Sequence, residues 1–75
     1  MQINIKTVKG DSYKLDVNHD MKIEEVKEQV QKRSNVEPDF QKLIFKGKHL
    51  ANEKTLTELN VKDGDNFILM ILKVD

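Results

Sequence analysis

The residues of this 75-residue chain best suited to proton transfer or metal binding are its two histidines, His19 and His49. Thirty positions separate them, and neither stands in an H-E-x-x-H run or another metal-ligand spacing. A loop or strand-end surface position suits each better than a ligand role. Ser12 and Ser34 lack the G-x-S-x-G surroundings of an activated nucleophile. Gly10, Gly47 and Gly64 are isolated, so no phosphate-cradling loop can be built from them. Glu24, Glu25 and Glu28 cluster, but on the outer side of a helix such carboxylates are ordinarily solvated. There is no cysteine, which removes disulfides, thiolate nucleophiles and Cys-based metal sites together. These patterns point away from catalysis, from metals and from any cofactor.

Composition narrows the remaining classes. Thirteen basic and thirteen acidic side chains cancel, whereas a polyanion binder normally carries a basic excess. The lysines are dispersed and the three phenylalanines fall at core-type positions, so no platform for stacking nucleic-acid bases is expected. The longest apolar run, Phe67 to Leu72, is far shorter than the roughly 20 residues of a spanning helix. No signal-peptide core follows Met1. The reading is one soluble, intracellular domain over residues 1–75, too small for more than one core.

Hydrophobic periodicity supplies the elements. Met1, Ile3 and Ile5 alternate with Gln2, Asn4 and Lys6, and Tyr13, Leu15 and Val17 alternate with Ser12, Lys14 and Asp16. A period of two predicts strands, and the short loop containing Gly10 predicts a hairpin between them. Ile23, Val26 and Val30 then follow helical spacing. Glu24 and Glu25 in the first turn and Lys32 and Arg33 in the last suit the helix dipole. Asn35 can take the left-handed conformation at the end, and Pro38 prevents continuation. The start is weakly marked, because Lys22 stands where a Ser or Thr cap would be expected. Short strands are predicted over 41–46 and 48–50 around Gly47, and a last strand over 67–72 after Asp63-Gly64-Asp65-Asn66. Leu56, Leu59 and Val61 would anchor a short helical turn between them. The outcome is an α+β two-layer domain, one helix against one face of a four- to five-stranded sheet.

One helix cannot cover two sheet faces. Alternation puts Phe67, Leu69 and Ile71 on one side of the last strand and Ile68, Met70 and Leu72 on the other, and Ile44 opposes Leu43 and Phe45 in the same way. The outward-facing set is an exposed partner-binding patch, or it is covered by residues 51–62 as a secondary core. Pattern alone leaves both open, and Met70 suits either.

The residues Met1-Gln2-Ile3, Lys6-Thr7, Gly10, Ile23, Val26-Lys27, Pro38-Asp39, Gln41, Leu43-Ile44-Phe45, Gly47-Lys48, Leu50, Thr55-Leu56 and Asn60 resemble ubiquitin, in ungapped register from Met1 into the last strand. The resemblance implies a β-grasp fold with a mixed sheet. It also implies binding through the open sheet face, at the positions held here by Val8, Ile44, Ile68 and Met70. Ile68 replaces a histidine of ubiquitin itself. Gly47, Lys42, Lys48 and His49 complete the expected partner-binding set. Conjugation does not carry over, because Leu72-Lys73-Val74-Asp75 stands where the family's modifiers have a Gly-Gly tail. The matching lysines Lys6, Lys27 and Lys48 read as solvated surface residues.

Val61 to Met70, with its Lys62-Asp63-Gly64-Asp65 turn, is similar to the amino-terminal domain of nucleotide-excision-repair proteasome shuttle proteins. The ubilin-type shuttle domain is a related resemblance. What this implies is a monomeric, non-conjugated module of the nucleus and cytoplasm that docks on proteasomal ubiquitin receptors and ubiquitin-interacting-motif helices, and extends to ubiquitin-associated domains. Direct binding to nucleic acid or membrane is not expected, and a modifier precursor is the rival reading. The cancelling charges are then expected to hide a basic rim of Lys6, Lys42, Lys46, Lys48, His49 and Lys73, with Glu24, Glu25 and Glu28 on the opposite layer.

Overall fold

A computed structural model describes residues 1–72. Strands β1 (Gln2–Thr7), β2 (Ser12–Asp16), β3 (Gln41–Phe45), β4 (Lys48–His49) and β5 (Asn66–Ile71) form one sheet in the order β2-β1-β5-β3-β4. Helix α1 (Ile23–Ser34) packs on one face, and a single 3-10 turn at Pro38–Phe40 leads into β3. The element order is the expected one with that turn added. Periodicity could not supply the pairing: β5 lies parallel to β1, with Ile5 opposite Phe67, and antiparallel to β3, with Leu43 opposite Leu69.

The inward residues of each strand meet the apolar stripe of the helix. Ile3, Ile5, Leu15, Val17, Leu43, Phe45, Phe67 and Leu69 are buried together with Ile23, Val26 and Val30. The rings of Phe45 and Phe67 stack with centroids 4.8 Å apart and planes 21° apart. Each fully buried aliphatic or aromatic side chain of this kind contributes about 1.5–3 kcal/mol relative to exposure.

The end of α1 is closed as the sequence hints, and its start is closed by other means. Asn35 adopts φ 64° and returns its N–H to the Gln31 carbonyl at 2.8 Å. At the start Lys22 provides no side-chain cap. The free N–H groups of Ile23 and Glu24 donate instead to the carbonyls of Lys54 (2.9 Å) and Asn52 (3.2 Å), so a segment distant in sequence does the capping.

That segment forms the expected short helical turn. Thr55 and Glu58 make a reciprocal capping box: the Glu58 N–H donates to Thr55 Oγ1 at 3.2 Å, and Glu58 Oε1 accepts from the Thr55 N–H at 3.3 Å. These bonds hold the Glu58 carboxyl below its ordinary pKa. Leu56 and Val61 are buried and Leu59 half-buried. The segment therefore seals the edge of the core at the helix start and leaves Ile68 and Met70 uncovered, which removes the secondary-core reading.

The Lys62-Asp63-Gly64-Asp65 turn sets β5 against β1. Asp63 Oδ1 accepts the Gln2 N–H at 2.7 Å, the Gly64 N–H donates to the Gln2 carbonyl at 2.7 Å, and Asp65 Oδ2 accepts the Lys62 N–H at 2.8 Å. Gly64 sits at φ 85°, a conformation that favours glycine.

Lys27 departs from expectation. It is 8% exposed rather than solvated, its stem inside the helix–sheet layer and its ammonium donating to Asn52 Oδ1 at 2.7 Å. Burial lowers its pKa from 10.5, and the nearby Asp39 charge partly opposes that shift. Gln41, also buried, donates from Nε2 to the carbonyls of Lys27 (2.9 Å) and Val36 (2.8 Å), tying β3 to the helix and to the loop behind it.

Two measurements check the role of Lys27. In urea unfolding near neutral pH, Asn52→Asp is expected to stabilise the chain by about 1 kcal/mol, because a charge-assisted bond replaces a neutral acceptor. A folded pKa below 10.5 means the unfolded chain binds more protons in the interval up to that value. Stability therefore rises as pH climbs toward 10.5, and Lys27→Met removes that part of the rise. A stability difference between Lys27→Met and wild type that does not change with pH would contradict this account.

Candidate partner-binding face

The side of the sheet away from α1 is read directly from strand register. Lys6, Ile68, Ile44 and His49 form one row across β1, β5, β3 and β4, each opposite the next. Met70 and Lys42 form a second row. Rows two residues apart along a strand are separated by roughly 6.8 Å, about the rise of one helical turn plus a fraction. Val8 follows Thr7, which is opposite Leu69, and so emerges at the Met70 end of the face. Val8, Ile68 and Met70 are 73%, 41% and 38% exposed. Ile44 is half-buried, flanked by Ile68 on one side and His49 on the other.

The structure thus brings together the predicted Val8, Ile44, Ile68, Met70, Lys42 and His49. Gly47 and Lys48 sit beside them in the β3–β4 hairpin rather than in the rows. The hairpin turn has positive φ at both central residues, 53° at Lys46 and 79° at Gly47, as a two-residue type I′ connection requires. Nothing lies within 4 Å of a Cβ built on Gly47, so its constraint is conformational and not spatial.

Two further residues extend this surface: Leu72, which alternation places on the outward side, and Phe40, which was not anticipated. Leu72 donates its N–H to the Phe40 carbonyl at 2.7 Å, one step beyond the Met70–Lys42 row, and both side chains are exposed. They lengthen the apolar stripe of β5 from Ile68 through Met70 to Leu72. Phe40 could not be placed without the 3-10 turn.

The charge pattern agrees with the expected rim in part. Lys6, Lys42 and His49 border the apolar residues, and Lys46 and Lys48 lie in the adjacent hairpin. Lys73 lies outside the described residues. The opposite layer is not uniformly acidic: Glu24, Glu25 and Glu28 are exposed on the first half of α1, but Lys32 and Arg33 are exposed on its last turn. Among the described residues the one ion pair is Lys54–Glu58, at 3.6 Å. No group of three His, Asp or Glu residues among them could hold a metal ion, and no helix among them is long and apolar enough to cross a membrane.

A five-stranded mixed sheet grasping a single helix, with its other face open, defines a ubiquitin-like β-grasp domain. Residues 3–74 match the sequence model of the Ubiquitin family, and the chain belongs to that family. It is 38% identical over 72 residues to the UV excision repair protein rhp23 of Schizosaccharomyces pombe, an alignment covering 95% of this chain and 20% of that protein. It is 33% identical over 73 residues to the UV excision repair protein RAD23 homolog of Dictyostelium discoideum, covering 97% of this chain and 21% of that protein. The chain therefore spans about a fifth of the length of these relatives. The ubiquitin-like protein NEDD8 of Dictyostelium discoideum is 31% identical over 71 residues, covering 95% of this chain and 92% of that one.

The hairpin gives a direct test. Replacing Gly47 by alanine puts a side chain at φ 79° and is expected to cost about 1–2 kcal/mol in chemical denaturation, with no steric clash to blame. A change within a few tenths of a kcal/mol would show that the turn readily takes another conformation.

Proposed function

We propose that this chain is a non-conjugated protein-interaction module that docks on proteasomal ubiquitin receptors, as part of a shuttle factor for ubiquitinated proteins in proteasomal degradation and DNA excision repair. The observation that carries the reading is the row Lys6–Ile68–Ile44–His49, an uncovered apolar centre with basic and imidazole flanks. Similarity to two UV excision repair proteins supports the repair setting. Such a row fits an amphipathic helix whose apolar anchors lie across Ile44, Ile68 and Met70 and whose acidic margins meet Lys6 and Lys42. Ubiquitin-interacting-motif helices and ubiquitin-associated domains are the partners of that shape. The module acts as a monomer in the nucleus and cytoplasm and performs no catalysis of its own.

A second reading has its own support. NEDD8 of Dictyostelium discoideum and ubiquitin-like protein 1 of Schizosaccharomyces pombe align over more than 90% of their own lengths, and this chain could be a modifier or its precursor. Mass spectrometry of cell extract separates the two: the modifier reading expects isopeptide-linked forms, and the docking reading expects none.

Ile44→Ala is expected to weaken binding to a proteasomal ubiquitin receptor at least about tenfold, or about 1.4 kcal/mol, in calorimetry. Unchanged affinity with an intact NMR spectrum would sink the assignment. Raising NaCl from about 50 to about 300 mM should weaken wild-type binding and affect a Lys6→Gln/Lys42→Gln variant less.

A further inference from the structure

Behind the β3–β4 hairpin, away from the open face, lies a cavity of about 370 Å³ between the hairpin and residues 51–60. That volume is within the range of small-ligand and side-chain pockets. Its base is apolar, formed by Phe45, Leu50 and Leu59, and its lining also carries Lys46, Lys48, Lys54 and the Glu58 carboxylate. The lysines are not equivalent. Lys54 pairs with Glu58 at 3.6 Å, and the Glu58 carboxylate is further engaged by Thr55. Lys46 is placed over the Phe45 ring, its Nζ 5.2 Å from the centroid. Neither Lys46 nor Lys48 has an anionic partner among the described residues. The cavity therefore offers an apolar floor under two uncompensated cations.

We propose that this cavity is a second binding site, which takes an aromatic side chain flanked by carboxylates from an acidic segment of a partner protein. The site goes beyond the open-face reading, since Ile44, Ile68 and Met70 do not line it. Charge complementarity selects the acidic flanks, and the floor of Phe45, Leu50 and Leu59 selects the ring. A phosphate or nucleic-acid backbone would meet the same lysines but leave that floor unused, and lysine point charges on flexible stems give no bidentate fit to it. His49 lines this cavity and also ends the row of Ile44, which gives one partner chain a route from one site to the other.

The test is an NMR titration of the 15N-labelled 75-residue chain. The probe is an acetylated, amidated pentapeptide with a central Phe and two Glu on each side. Saturable shifts are expected at the amides of residues 45–51 and 59–60. Lys46→Gln/Lys48→Gln should weaken binding about fivefold or more, as two exposed charge pairs allow. Replacing the central Phe of the peptide by Ala should abolish the saturable shifts. Ile44→Ala should leave affinity at this site unchanged, which separates its fate from that of the open face. The proposal is overturned if the shifts fall only on Ile44, Ile68 and Met70, or if the double variant binds as well as wild type. It is equally overturned if inorganic phosphate or a single-stranded oligonucleotide produces the same shifts at the same concentration.

Discussion

The structure depends on where the last strand sits. β5 lies at the centre of the sheet, parallel to β1 and antiparallel to β3, and among the described residues it alone joins the first hairpin to the second. A central strand is covered by neighbours along both edges, so its backbone is fully paired and its side chains decide what each face becomes. Phe67 and Leu69 point into the core, where Phe67 stacks on Phe45. Ile68 and Met70 point the other way, where no helix arrives. The apolar face and the core are thus two sides of one strand, and neither can be altered in register without exchanging them.

Holding β5 there falls to backbone and carboxylate bonds rather than to apolar packing alone. Asp63 and Gly64 fasten the entrance of β5 to Gln2, and Asp65 folds the turn back on Lys62. The motif that suggested kinship with excision-repair proteins therefore has a local structural task, quite apart from any partner. The segment before it is equally committed. Residues 52 and 54 cap the helix start, Asn52 receives the buried Lys27 ammonium, and Thr55 with Glu58 caps the turn that buries Leu56. The helix start is occupied in this way, while the open face stays uncovered beside a hairpin whose two-residue turn at Lys46 and Gly47 is flanked by Lys48.

A net charge of zero conceals this sorting. Lys6, Lys42 and His49 border the open apolar rows, and three exposed carboxylates, Glu24, Glu25 and Glu28, lie on the first half of α1, where the helix dipole also favours them. Lys32 and Arg33 at the other end keep the helix layer mixed. The polarity of the molecule runs partly across its two layers and partly along its helix. Binding through the open face would be steered by the first of these and nearly indifferent to the second.

The sequence by itself determined the strands, the helix and the side of each strand that is apolar, because periods of 2.0 and 3.6 residues are local properties. Asn35 as a left-handed stop, Gly47 in the hairpin and the outward Ile44, Ile68 and Met70 were legible for that reason. Only the tertiary structure decided the parallel β1–β5 pairing, the burial of Lys27, the tertiary cap on α1 and the emergence of Phe40 beside Leu72. Lys27 illustrates the limit: four residues after Ile23 and three before Val30 it falls on the apolar stripe of the helix, but spacing alone does not show what would accept a hydrogen bond from its ammonium. The 51–58 segment folds against the helix start, with Asn52 there to accept a hydrogen bond from that ammonium. Partners far apart in sequence supply the compensation, so the cost of burying the charge and the means of meeting it become visible only together.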